Sequence, residues 1–101
     1  MTDVGKNYVT KTIVVSPGKR HSLQYHQHRT EFWLVIEGTG TAVIDGISYS
    51  LESGNSIVIP KRAKHRLCCT GDFPLIIVEV QTGRILKETD IVRLDDDFGR
   101  L

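Results

Sequence analysis

Apolar residues in this chain recur in short runs with the period of strands. TIVV (Thr12 to Val15), FWLVI (Phe32 to Ile36), TAVI (Thr41 to Ile44), SIVI (Ser56 to Ile59) and LIIVEV (Leu75 to Val80) are rich in β-branched and aromatic residues. Such residues fit a pleated, half-buried surface. Between the runs stand the turn signals Pro17-Gly18, Asp45-Gly46, Ser53-Gly54 and Gly71-Asp72. Asp45-Gly46, between TAVI and ISYSL, predicts a two-residue hairpin turn, because both residue types tolerate positive φ. No stretch keeps the 3.6-residue period of an amphipathic helix. Short strands with turns roughly every eight to twelve residues predict a closed or sandwiched all-β domain. The tail ETDIVRLDDDFGRL mixes charge with Ile91, Val92, Leu94 and Phe98, and segment 88–101 is expected to dock on that domain.

A chain of 101 residues supports one domain with one modest core. Its composition, 40% hydrophobic and 25% charged, is that of an ordinary soluble globular protein. The formal net charge of +1 leaves no basic excess for general nucleic-acid binding. MTDVGKNYVTKT lacks the apolar centre of a signal peptide, and no apolar run reaches the length of a membrane span. A cytoplasmic protein with neither nucleic-acid nor membrane partners is therefore expected. Cys68 and Cys69 are adjacent, so on a strand they point to opposite faces and a disulfide between them would be strained. Reduced thiols are expected, with Cys69 on the same pleat face as His65.

Two segments carry the candidate chemistry. QYHQHRTEFWLVIEG packs Gln24, His26, His28 and Glu31 into eight residues, and GNSIVIPKRAKH ends on His65. Imidazole and carboxylate are ligands that Zn, Mn, Co, Ni and Fe accept. These segments resemble the two signature motifs of the cupin superfamily. The second matches at Gly54, Pro60 and His65, and departs at Arg62, where a Gly is usual, and at Cys69, where an Asn is usual. Counting back from Gly38 in the first motif gives Glu31, then His26, then Gln24 in place of the first His. An alternative register takes His26 and His28 as the pair. The resemblance implies a small antiparallel β-barrel or jelly roll over residues 1–101, with motifs at 18–38 and 54–69. It also implies one divalent metal ion held by Gln24, His26, Glu31 and His65, and a homodimer.

LQYHQHRTEFW, IPKRAKHRL, IIVEVQTG and DIVRLDDDFGR together resemble, over about Lys11 to Arg100, the C-terminal domain of type II phosphomannose isomerases. Such domains are usually fused behind a mannose-1-phosphate guanylyltransferase. This chain reads as a stand-alone domain of that type, with a separate guanylyltransferase as a possible partner. The resemblance implies metal-dependent interconversion of mannose 6-phosphate and fructose 6-phosphate, with a phosphorylated hexose as ligand. In that setting His28, Lys64 and Arg93 are the candidate catalytic residues, and Arg29, Arg66 and Arg100 the candidate substrate-binding residues. The family commonly reads HHHRAEHW where this chain reads HQHRTEFW, so Gln27 and Phe32 replace two histidines. Two other readings stand beside the isomerase: a non-catalytic sugar-phosphate or nucleotide-sugar binding cupin, and a cupin metal oxygenase.

Overall fold

A computed structural model describes residues 2–4, 8–83 and 92–95 of the chain; Arg100 and the rest of segment 88–101 lie outside them. The described residues form ten strands and no helix: β1 (Thr2–Val4), β2 (Tyr8–Val15), β3 (Leu23–Tyr25), β4 (Arg29–Glu37), β5 (Gly40–Ile44), β6 (Ile47–Leu51), β7 (Ser56–Ile59), β8 (His65–Cys69), β9 (Leu75–Gly83) and β10 (Val92–Asp95). No helix among them is long and apolar enough to cross a membrane.

The strands make two five-stranded antiparallel sheets, ordered β1-β2-β9-β4-β7 and β10-β3-β8-β5-β6. The all-β expectation holds, and of the closed and sandwiched alternatives the described residues form the sandwich. Among the described residues no ladder joins one sheet to the other. Among these residues the edge strands each have a single partner, so the described residues form a two-sheet sandwich and not a sealed barrel.

Alternation fixes the inner faces. On β4, Arg29, Glu31, Trp33 and Val35 are buried; on β9, Leu75, Ile77, Glu79 and Gln81 are buried. β4 begins polar and turns apolar, whereas β9 does the reverse. Their antiparallel pairing sets Val35 opposite Ile77, Trp33 opposite Glu79 and Glu31 opposite Gln81. Apolar side chains are thereby gathered at one end of the interior and polar ones at the other. The apolar cluster also takes in Ala42, Leu67 and Ile59, the last directly opposite Glu31, each buried side chain contributing about 1.5–3 kcal/mol if it is Leu or Ile.

The hairpin between β5 and β6 turns as its sequence predicts, with φ of 49° at Asp45 and 83° at Gly46, the pattern of a type I′ turn. Asp45 has a second task. Its backbone N donates to Lys64 O at 2.7 Å, and its Oδ1 accepts from Lys64 N at 2.9 Å. The turn thus clamps the backbone just ahead of His65.

Candidate metal centre

Three strands and one loop bring the polar end together. β4 supplies Glu31; His26 follows β3; His65 opens β8, with Gln24 of β3 directly opposite it. The loop ahead of β8 is tied to the first segment by Arg62 N donating to His26 O at 2.7 Å. Arg62 adopts φ of 66°, a left-handed conformation that glycine takes without strain. That is the physical reason a Gly is usual at this motif position.

His26, Glu31 and His65 are each nearly fully buried, and one candidate ligand atom from each lies within 4.8 Å of the others. His26 Nε2 stands 3.1 Å from Glu31 Oε2, and His65 Nε2 stands 3.6 Å from Glu31 Oε1. Donors held about 2.1 Å from one ion sit roughly 3.0–3.4 Å apart, so these spacings suit a shared cation. His65 Nδ1 lies 3.0 Å from Ala63 O. Donation to that carbonyl leaves the Nε2 lone pair directed at the cluster. Glu31 Oε1, His65 Nε2 and Gln24 Oε1 are buried without a hydrogen-bond partner among the described residues. Buried polar atoms are ordinarily paired, and the unpaired Glu31 Oε1 and His65 Nε2, 3.6 Å apart with His26 alongside, form a donor set suited to a divalent metal.

Electrostatics agree. Burial by itself raises the Glu31 pKa, but hydrogen bonds from His26 and Glu79 and the nearby His65 and His26 charges reverse this and lower it to about 2. Burial lowers the pKa of His65 against the raising influence of Glu31. Both shifts favour the forms that bind metals, carboxylate and neutral imidazole. Glu79 goes the other way. Burial first, then the charge and hydrogen bond of Glu31, raise it from 4.5 to about 7.

The remaining residues singled out from the sequence scatter. Arg29 is buried at the cluster, its Nε donating to Glu31 Oε2 at 2.9 Å and its Nη2 standing 3.0 Å from His26 Nε2. His28 is exposed on the turn into β4. Lys64 is exposed, and half-buried Arg66 donates from Nε to His21 O at 2.9 Å. Arg93 lies on β10, its backbone paired with Gln24. Cys69 is buried on the face of His65, donating from Sγ to Phe73 O, and both cysteines are free. Sequence reasoning missed Glu79 and Gln81. In LIIVEVQTG they look like ordinary polar strand positions, and only the register of β4 against β9 shows them to be buried.

The family model for the mannose-6-phosphate isomerase C-terminal region matches residues 1–96. The alginate biosynthesis protein AlgA of Pseudomonas aeruginosa is 45% identical over 98 residues, covering 97% of this chain and 20% of that protein. The mannose-1-phosphate guanylyltransferase ManC of Salmonella typhimurium is 42% identical over 99 residues, covering 98% and 21% respectively. The chain therefore spans about a fifth of the length of the curated relatives it matches. Among solved structures, a Klebsiella pneumoniae protein with a double-stranded β-helix domain, the cupin architecture, superposes with a TM-score of 0.79. It is 20% identical and is matched over 91% of this chain and 79% of that one.

Proposed function

We propose, because the chain belongs to the mannose-6-phosphate isomerase C-terminal family, that it is a metal-dependent isomerase interconverting mannose 6-phosphate and fructose 6-phosphate. The observation that carries this reading is the buried His26–Glu31–His65 cluster with its unpaired Glu31 Oε1 and His65 Nε2. His26, Glu31 and His65 would hold one divalent ion, with Gln24 Oε1 as a further oxygen. When bound, the ion supplies Lewis-acid stabilisation of negative charge developing on the sugar oxygens.

The chain's own groups supply the rest. His28, exposed two residues after His26 in the sequence, is the proposed base: it takes the proton from C2 of the aldose and returns it to C1. The hydroxyl proton on O2 passes to O1, which leaves the ketose with atoms and charge balanced. The phosphate needs cations. Arg29 stands at the centre with Nη1 unpaired among the described residues, and Arg93 is paired through its backbone with Gln24; Arg100 completes the proposed set.

Two features favour an isomerase over a binding module. Gln27 is exposed, and Phe32 alternates to the outer face of β4, away from Glu31 and Trp33. The two histidines replaced in this chain therefore lie outside the buried cluster. Pairing of two copies is proposed through the outer face of the first sheet. There the cross-strand rows Thr10–Val80–Phe32–Val58 and Thr12–Val78–Leu34–Ser56 contain no ionisable side chain.

Metal-stripped protein reloaded with Zn, Co, Mn or Ni tests the activity, using mannose 6-phosphate and a coupled readout of fructose 6-phosphate. Turnover restored by one ion and lost in His65→Ala is the expected result. Folded, metal-loaded protein that turns over no mannose 6-phosphate would overturn the isomerase reading and leave the binding module.

A further inference from the structure

Behind Glu31 lies a polar tile that the chemistry above does not use. Trp33 and Glu31 on β4 face Glu79 and Gln81 on β9, a two-by-two block on the inner face of the sandwich. All four are at most 5% exposed. Trp33 Nε1 donates to Glu79 Oε1 at 2.9 Å, and Gln81 Nε2 donates to Glu79 Oε2 at 2.7 Å. Glu79 lies diagonally across the ladder from Glu31, near enough for each carboxyl to shift the proton affinity of the other.

Such a block is an expensive way to fill a core. Burying carboxyl and amide groups costs free energy that hydrogen bonds only partly return, and apolar side chains of similar volume are often neutral or stabilising replacements. What the tile does give is orientation. Glu31 is held at Oε2 by Arg29 and His26, Glu79 stands next to it on the same inner face, and its Oε1, 3.6 Å from His65 Nε2, has no hydrogen-bond partner among the described residues. Glu79 is itself immobilised at both oxygens, so it cannot follow if Glu31 turns.

We propose that Glu79 is a positioning residue, gripped by Trp33 and Gln81, that fixes the Glu31 carboxylate with its free oxygen toward His65, ready for a divalent cation. The proposal rests on the reading of His26, Glu31 and His65 as metal ligands, and its test separates the two. Outer partners of ligating carboxylates typically alter metal affinity by about 10–100-fold when removed.

The probe is Co²⁺ alone, its affinity measured by competition with a chromophoric chelator and its coordination by ligand-field absorption, with far-UV circular dichroism to confirm folding. Wild type is expected to bind Co²⁺ and Glu31→Gln to lose it. Glu79→Leu is expected to weaken binding by roughly 10–100-fold and to change the absorption bands. Glu79→Gln keeps the shape of that side chain and its bonds to Trp33 and Gln81, since the Gln81 amide can turn its oxygen toward the new NH₂, and is expected to restore both affinity and spectrum. Should Glu79→Leu fail to fold, Trp33→Phe loosens the same grip and is expected to weaken Co²⁺ binding in the same direction. Failure of wild type to bind Co²⁺, or binding unchanged in Glu31→Gln, would overturn the ligand reading and the proposal with it. Binding lost in Glu31→Gln but undiminished in Glu79→Leu, or in Trp33→Phe where the Leu variant does not fold, would overturn the positioning role alone. So would an affinity that Glu79→Gln fails to rescue.

Discussion

Glu31 and Glu79 are two carboxyls on one buried face with opposed proton affinities, about 2 and about 7. The opposition has a thermodynamic consequence in metal-free protein. Between pH 4.5 and 7 the native state retains the Glu79 proton that the unfolded chain has released. Its contribution is therefore full below pH 4.5 and is lost as pH rises through 7. Glu31 behaves inversely: its contribution is full above pH 4.5 and is lost as pH falls toward 2. His65, with its pKa lowered by burial, works against the Glu79 trend just below 6.5, because the native state takes up its proton less readily. Comparison with Glu79→Gln isolates one group. The stability of wild type relative to this variant is expected to decline from pH 5 to pH 8 in urea titrations; a constant difference would show Glu79 ionised throughout. The ligand-type residues were legible in the sequence because His and Glu at close spacing, followed by a lone His after Gly and Pro, have few bland readings. Glu79 was not, because its burial depends on the partner strand, and partner register is not written in local sequence.

Elements differ in legibility for the same reason. The β4, β5, β7 and β9 runs announce themselves by alternation and β-branched content, whereas β3 (LQY) and β10 (VRLD) are short and mixed, and owe their strand form to the neighbours they pair with. β8, beginning His-Arg, also escapes a hydrophobicity scan, although its odd positions are all buried. The loop feeding β8 contains a local conflict that can be measured. Arg62 at φ 66° pays a left-handed penalty that glycine avoids, so Arg62→Gly is expected to exceed Arg62→Ala in stability by about 1 kcal/mol in chemical denaturation. Equal stability of the two would mean that the loop is not held in this conformation. The charge-free rows on the first sheet make a second element-level prediction. Phe32→Glu places a carboxylate among Val58, Val80 and Leu34, and is expected to convert a dimer to a monomer in light scattering at micromolar concentration. A wild type that is already monomeric would discard the pairing.

At the scale of the whole molecule, a small sandwich places its polar cluster where a larger core would be continuous. Apolar packing secures one end of the interior, and the other end is filled by His26, Arg29, Glu31, His65, Glu79 and Gln81. A cation bound there should act as part of the core. A ligand at 100 times its dissociation constant adds about 2.7 kcal/mol, and for a domain of this length that corresponds to a rise in Tm on the order of 10 °C. Chelation is thus expected to lower Tm by that order in wild type and to leave His65→Ala unmoved; equal responses would place the stabilising ion elsewhere. The overall architecture was readable from strand period and turn residues, but openness at the seams was not, since closure depends on how far edge strands twist toward one another.

The packing of Trp33 carries one more consequence. It is the only tryptophan in the chain, its Nε1 rests on Glu79, and its ring stands edge-on to His65 with centroids 5.7 Å apart. An excited indole is sensitive to charge and polarity beside it, and here the charges beside it belong to the cluster. Its fluorescence emission is therefore a label-free gauge of the site, reporting in one intensity both the protonation of its neighbours and the arrival of an ion, in the native sequence and without any substrate.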